Sequence, residues 1–381
     1  MDPKPIYLDY NATTPVDPAA VEAMLPYFTE QFGNPSSAHP YGWEARRAVD
    51  RARAQLAALI RAAPGEIVFT SGGTEANNMA IKGVAEREDR RSHIITSAVE
   101  HPAVLEPCAW LAKRSYDVTV LPVDGYGMVD PAAVEAALRP NTILVSIMLA
   151  NNEVGTIQPI AEIAALAHAR GVLVHTDAAQ AVGKIPVDVG VLGVDLLSVA
   201  GHKLYAPKGV GALYIRHGVT LAPLMHGASH EHGRRPGTEN VPYLAALGAA
   251  AVLAGRDLPA TMRHMADMRD RLYEHLRDRL SGLRRNGHPD HSLPNTLSVG
   301  FTGVEADALL ARIADRVAAS AGAACHADSV TVSPILRAMH VPLPAAKGTL
   351  RLSTGRYTTA DEVDTAADVI ARAVGVLRVG R

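Results

Sequence analysis

Lys203 is the residue of this chain best placed for covalent chemistry. It stands in VDLLSVAGHKLYAPKGVGALYIR, between an apolar run read as a buried strand (Val194 to Ala200) and a second strand (Val210 to Arg216). Gly201, Gly209 and Gly211 surround it, so the backbone can turn sharply and approach a ligand. A lysine at the mouth of a buried strand loses hydration, which disfavours its ammonium form. To act as a neutral nucleophile near pH 7 its pKa must fall roughly 3 units from about 10.4, a cost of about 4 kcal/mol. Proteins accept that cost mostly where the amine forms an imine. A surface lysine at a strand end is the plainer alternative, and three further segments bear on the choice.

Asp177 follows VLVHT, and Gln180 comes three residues later. A carboxylate at such a strand end is costly unless it meets a cation or good donors, although Asp177 read alone also suits a helix N-cap. In EIVFTSGGTEANNMAIKG, strand EIVFT runs into Ser71, Gly72, Gly73 and Thr74, with a helix expected from about Glu75. Free amides at a helix start, bare glycines and a hydroxyl suit a phosphate; a simple capped turn explains the same residues. The segment is neither G-x-G-x-x-G nor G-x-x-x-x-G-K-[ST], which disfavours dinucleotide and P-loop readings. His101 follows HIITS at another strand-to-helix turn, where its ring can stack on a planar ligand or lie on the surface. Asn152 and Glu153 sit at the next strand end.

The elements that must position these residues are legible between 66 and 216. Strand candidates are EIVFT (66–70), HIITS (93–97), DVTVLPV (117–123), TILVSIM (142–148), VLVHT (172–176), DLLSVA (195–200) and GALYIR (211–216). Several are apolar on both faces, and helices such as Pro131 to Leu138 and Ile160 to Arg170 fall between them. That is the pattern of a mostly parallel α/β sheet covered on both sides, with ligands at the carboxyl ends of its strands. Beyond about 255 the texture changes. A charged helix (about Pro259 to Leu280) leads to NTLSVGF, a helix, SAGAACHADS, LRLSTGR and a last helix, Ala360 to Val374. The expected division is a large α/β domain over 16–255 and a smaller α+β domain from 1–15 and 256–381.

Composition narrows the class. With 381 residues the chain suggests two or three domains, and 48% hydrophobic with 20% charged residues is ordinary globular usage. A net charge of −2 offers no basic excess for nucleic acid. Cys108 and Cys325 form no disulfide or metal framework, so a reducing cytoplasm fits. The N-terminus shows no apolar signal core, and the longest apolar stretch, Leu244 to Gly255, reads as a buried Ala-rich helix too short to span a bilayer. A soluble cytoplasmic protein without membrane contact is expected. His226, His230 and His232 (MHGASHEHGRR) invite a metal, but the loop they occupy has another use below, and no metal is expected.

Phosphate cradle, stacking histidine, carboxylate and reactive lysine together suit one ligand, a phosphorylated aromatic aldehyde. Asp177 would keep a pyridine nitrogen protonated, Gln180 would hydrogen-bond the ring oxygen, and Lys203 would carry the aldehyde as an imine. Pyridoxal 5′-phosphate is the expected cofactor. With those residues in view, the chain resembles the cysteine desulfurase and selenocysteine lyase family of fold-type I, class V aminotransferases. The resemblance runs through YLDYNATTP, FGNPSS, FTSGGTEANN, EHPAV, ILVSIMLANNEVG, VHTDAAQ, GHK, RPGTEN, GAACHAD and LRLSTGR. It implies a homodimer in which Thr74 and His202 bind the phosphate together with Thr238 of the other subunit. It also implies that Arg351 grips the substrate carboxylate, with Asn152 and Asn11 nearby.

The same resemblance gives Cys325 its role as the thiol that takes sulfur from L-cysteine as a persulfide, leaving L-alanine. Cys325 lies among small and polar residues without apolar period, as expected of a loop, whereas Cys108 sits in a helical stretch and reads as packing. His326 is its neighbour. One departure stands out: many relatives have a phosphate-binding serine where this chain has Ala200, and selenocysteine lyases also lack it. Selenium release from L-selenocysteine is therefore the alternative reading, and a class V aminotransferase, which needs no Cys325, a lesser one. A sulfur or selenium acceptor protein is implied but not named; the resembled desulfurases that feed iron–sulfur scaffolds carry a longer C-terminal tail.

Overall fold

The computed structural model describes residues 4–88, 91–321 and 332–379. Its strands are β1 (Ile6–Tyr7), β2 (Ile67–Thr70), β3 (His93–Ser97), β4 (Asp117–Leu121), β5 (Thr142–Ser146), β6 (Leu173–Asp177), β7 (Leu196–Ala200), β8 (Gly211–Ile215), β9 (Leu283–Asn286), β10 (Thr296–Phe301), β11 (Val317–Ala318) and β12 (Thr349–Ser353). Seven of them make one sheet in the order β2-β8-β7-β6-β5-β3-β4. All its neighbours pair in parallel except β8, which runs antiparallel between β2 and β7. This is the mostly parallel α/β sheet that the sequence suggests, with each strand within a few residues of its expected place.

Alternation along the strands explains why both faces are dry. Val68, Ile94, Leu144, Leu196 and Leu213 point into one core with the helices Gly73–Ala85 and Pro102–Ala112. Their neighbours Phe69, Ile95, Val145, Leu197 and Ala212 point into another, with the helices Pro40–Leu59 and Ile160–His168. A period of two with apolar residues in both phases leaves the sheet no solvated face. A third core joins Leu8 to Leu297, Val299, Leu350, Leu352 and the final helix, Ala360–Val379. It is organised on the antiparallel sheet β12-β10-β9, with β1 paired in parallel to β11 beside it.

The helix after the large sheet differs from expectation. The sequence suggests an Ala-rich helix ending near 255 and a charged one starting near 259, with a domain boundary between them. In the structure one helix of 39 residues, Val241–Arg279, crosses that boundary with Pro259 inside it. Proline removes one backbone donor and bends a helix, yet the turns on either side are packed well enough to carry the helix through. Leu244, Leu247 and Ala251 lie in the core of the large sheet, and Leu272 and Leu276 in the third core. Length and composition alone would let this helix cross a membrane, but its apolar face is spent on those cores.

The loop leading to RPGTEN is held by a buried ion pair. Arg53 Nη1 and Nη2 donate to Glu231 Oε2 and Oε1, both at 2.7 Å, and Phe69 N donates to Oε2 at 3.1 Å. The two side chains are 8% and 2% exposed. Truncating one member leaves a buried charge unpaired, which costs about 3–5 kcal/mol. Glu231→Ala should therefore lower the thermal unfolding midpoint markedly in scanning calorimetry, and an Arg53→Met, Glu231→Leu double variant should recover most of the loss. An unchanged midpoint in the single variant would mean that the pair contributes nothing.

Candidate active site

Strands β6 and β7 are parallel neighbours, with Asp177 in register with Ser198, so their carboxyl ends open on the same side. There a cavity of about 190 Å³ is lined by Gly73, Thr74, Asn77, His101, Met148, Asn152, Asp177, Gln180, Ala200, His202 and Lys203, among others. The sequence reading nominated eight of these from separated segments: Gly73, Thr74, His101, Asn152, Asp177, Gln180, His202 and Lys203. A larger groove of about 710 Å³ lies between the 54–61 and 251–258 segments and residues 182–188, and it holds no cluster of nucleophile and base.

Each wall has a local cause. The helix Gly73–Ala85 starts two residues earlier than expected, which brings Thr74 into its first turn. Gly72 precedes it at φ 153°. Behind it Gly211 lies so near that a Cβ there would stand 2.7 Å from Gly72 Cα and 2.5 Å from the Val199 carbonyl oxygen. Only glycine allows the cradle to sit this close to β7 and β8. His101 is the N-cap of Pro102–Ala112, its Nδ1 accepting from Ala103 N at 3.1 Å. That bond fixes the imidazole at the cavity wall rather than on open surface. Lys203 closes a short 3₁₀ turn, Gly201–Lys203.

Electrostatics follow from burial. Asp177 Oδ2 accepts from Asn77 Nδ2 at 2.7 Å and Oδ1 from Ala179 N at 2.9 Å. It is thus a cap for the turn after β6 and a carboxylate facing a cavity at once. Burial lowers the Lys203 pKa, against the pull of Asp177, and the positive charge of Arg351 lowers it further. Burial also lowers the imidazole of His101, with Lys203 adding to the effect. His202 is pushed down to about 4 by burial and by Lys203, and its Nδ1 contacts Thr13 Oγ1 at 3.1 Å.

Behind Asn152 the remaining nominated residues meet. Arg351, 6% exposed, donates from Nη2 to Asp9 Oδ1 at 2.7 Å and from Nη1 to the Asn152 carbonyl oxygen at 3.2 Å. Arg351 Nε and Asn152 Oδ1 are buried without a partner among the described residues. Such groups ask for a ligand. Asn11 is a hub rather than a free amide. Its Nδ2 donates to Asn152 O and Thr296 Oγ1, and its Oδ1 accepts from Lys184 and Asn295. Thr238 is exposed and lines no part of this cavity. Cys325 and His326 lie outside the described residues. Cys108 is buried in a core, where desolvation pushes its thiol up to about 12.

The aminotransferase class-V family pattern matches residues 6–365. Cysteine desulfurase IscS of Methanosarcina thermophila is 48% identical over 98% of this chain and 93% of its own length. The chain belongs to the cysteine desulfurase family. A cysteine desulfurase of Gluconacetobacter diazotrophicus is 50% identical over 98% of this chain and 94% of its own. Among solved structures a NifS-like protein superposes with a TM-score of 0.92 at 38% identity, covering 98% of this chain and all of its own. SspA in complex with cysteine gives 0.83 at 37% identity, covering 94% of this chain and all of its own.

Four residues of this family member escaped the sequence reading: Asn77, Asp9, Lys184 and Glu100. Asn77 had a signal, since it lies three residues after Thr74 on the same helical face. Lys184 had one in its place four residues after Gln180, to which it bonds, whereas Asp9 had none, because its partner Arg351 is remote in sequence. Glu100, next to His101, is fully buried and accepts from Ser97 Oγ at 2.6 Å and from Met148 N at 3.0 Å. Burial pushes its carboxyl up from 4.5 to about 8, with Asp177 adding a smaller push. Between those two pH values the unfolded chain releases a proton that the folded chain keeps, so stability falls as pH rises through this window. Stability measured by denaturant from pH 4.5 to 8 should decline more steeply for the wild type than for Glu100→Gln. Parallel curves would show that Glu100 titrates normally.

Proposed function

We propose that this chain is a pyridoxal 5′-phosphate-dependent cysteine desulfurase that converts L-cysteine to L-alanine and holds the sulfur as a persulfide on Cys325. The observation that carries the reading is the pairing of Lys203 and Asp177 on the walls of one small cavity, with Arg351 behind its Asn152 wall. The residues fit the cofactor. Thr74, His202 and the bare Gly73 suit its phosphate, Asp177 its ring nitrogen, and Lys203 its aldehyde carbon. Bound there, pyridoxal phosphate supplies a carbonyl for the substrate amine and a ring that withdraws electrons from the substrate α-carbon.

The chain's own residues do the rest. Asp177, oriented by Asn77 and the Ala179 amide, stabilises a proton on the ring nitrogen by charge. Lys203 Nζ, eased toward its neutral form by burial, can take the α-proton of the substrate and return it. Arg351, braced from one side by Asp9, offers its guanidinium to the substrate carboxylate. Cys325 then accepts the sulfur: its thiolate bonds to the substrate sulfur as the carbon–sulfur bond breaks, and a proton on carbon completes alanine. In sum, cysteine and an enzyme thiol become alanine and an enzyme persulfide. A thiol in this role fits a reducing cytoplasm, and an acceptor protein would take the sulfur onward.

A homodimer suits the surface. Thr238 is exposed and apart from its own chain's cavity, as a residue serving the other subunit would be. Leu25, Phe28, Phe32, Tyr41 and Trp43, all at least half exposed, give one stretch of the chain an unusual apolar surface.

Two measurements test the reading. Asp177→Asn should keep its fold and lose turnover on the order of a hundredfold or more; a rate within twofold of wild type would reduce the carboxylate to a turn cap. Alanine release should be followed from L-cysteine and L-selenocysteine in parallel, with mass spectrometry of the protein. Wild type should turn over cysteine and carry an extra sulfur, and Cys325→Ala should do neither. Cysteine turnover surviving in Cys325→Ala refutes the persulfide route. A wild type active on selenocysteine and poor on cysteine would favour the lyase alternative, which the missing hydroxyl at Ala200 also suits.

A further inference from the structure

Lys184 is a fully enclosed lysine that the chemistry above does not use. It is 5% exposed, and its Nζ donates to Gln180 Oε1 at 2.7 Å and to Asn11 Oδ1 at 2.9 Å. Both acceptors are neutral amide oxygens. The charges felt most at Nζ are those of Lys203 and Arg351, which repel it, and burial lowers its pKa well below the usual lysine range. An amine kept dry among other cations and without a carboxylate is expensive to fold around, so its position calls for an explanation beyond packing.

The explanation lies in the amide it touches. Gln180 lines the cavity, and a glutamine amide can present either its oxygen or its NH₂ to a ligand. A backbone carbonyl oxygen can only accept, so the amide atom facing Asn11 O is Nε2 and the one facing Lys184 Nζ is Oε1. Gln180 Nε2 spends one hydrogen on the Asn11 carbonyl oxygen at 2.9 Å. Its second N–H bonds no other described residue, and Gln180 is part of the cavity wall. Asn11 in turn is fixed from the other side by Asn295 Nδ2 at 2.9 Å and by Ser353 Oγ, which accepts from Asn11 N at 3.0 Å. The amide therefore has one orientation, imposed from behind.

We propose that Lys184 is a positioning residue that locks Gln180 as a hydrogen-bond donor toward the cavity, so that the site selects a ligand with an anionic oxygen there. The inference rests on the reading of pyridoxal phosphate as the ligand, whose ring oxygen has that character. On this proposal the effect of Lys184 on the bound ligand passes through Gln180, which makes it conditional on that side chain.

The test uses full-length protein reconstituted with pyridoxal phosphate, reading the cofactor dissociation constant and the absorption band of the bound cofactor. Lys184→Met and Gln180→Ala should each weaken cofactor binding roughly tenfold or more, the loss of one hydrogen bond to a charged group, and displace the band in the same sense. The double variant should be no worse than Gln180→Ala alone, because both changes remove one coupled unit. Independent, multiplying losses overturn the proposal. Gln180→Glu guards against a variant that fails to fold. Its carboxylate meets the Lys184 amine, so the cofactor-free protein should unfold at a higher temperature than Gln180→Ala, yet bind cofactor as poorly, because it has no hydrogen to donate. Wild-type affinity in Gln180→Glu overturns the proposal while leaving the functional reading intact. A wild type that takes up no pyridoxal phosphate at all rejects that reading, and the proposal with it.

Discussion

A carboxylate taken out of water at the end of β6 governs what surrounds it. Asp177 is 6% exposed, and such a group persists in ionised form only if its oxygens are met by donors and a positive charge is near. Asn77 and the Ala179 amide meet the oxygens, and Lys203 supplies the nearby cation. That arrangement needs two parallel strands ending side by side, a third segment delivering a helix from below, and glycines where the backbones crowd. The sheet order and the placement of the Gly73–Ala85 helix satisfy those needs together. Burial first, and repulsion by Lys203 second, also lower the proton affinity of His101 and His202 beside it.

The large sheet was readable because its strands are short apolar runs in both phases, and the residues closing each run are the ones at the cavity wall. Lys203, Asp177, Thr74 and His101 could be named on that basis, and the family motifs carried the choice of ligand. Other features depend on what meets in space. Asn11 stands in a motif that suggests substrate contact, yet its side chain is consumed by Thr296, Asn295 and Lys184, more than 170 residues away in each case. Nothing local in the sequence signals that closure. The helix start at Gly73 rather than Glu75, and the merging of two expected helices across Pro259, show the same limit. Local propensity marks where a helix can end, and packing decides whether it does.

Division into two units is accordingly a statement about cores more than about the backbone. Apolar residues on Val241–Arg279 serve the large sheet near its start and the third core near its end. The N-terminal residues do the opposite service, with Leu8 in the third core and Thr14 bonded to the His202 carbonyl oxygen. Arg351 therefore meets the cavity wall, at the Asn152 carbonyl oxygen, from a separate layer of the molecule, and its distance from Lys203 is set by everything that joins the layers.

That dependence can be put as leverage. From Pro259 to Arg279 the helix extends about 30 Å, so a bend of only about 2° at the proline would swing the far end by about 1 Å. Displacements of that size at reacting groups cost on the order of a hundredfold in rate. A beam with a weak point must be braced close to it, and the ties are found there. Thr354 Oγ1 donates to the Met265 carbonyl oxygen at 3.1 Å, and His264 Nε2 meets the Thr358 carbonyl oxygen at 2.9 Å. Arg356 bridges back, donating to Asp17 Oδ2 at 2.9 Å and from its backbone to Tyr205 OH at 2.7 Å, two residues beyond Lys203. The guanidinium proposed for the substrate carboxylate is thus held in alignment by struts that line no part of the cavity, and substitutions in them would disturb the site as misalignment, at a distance and without removing a single chemical group.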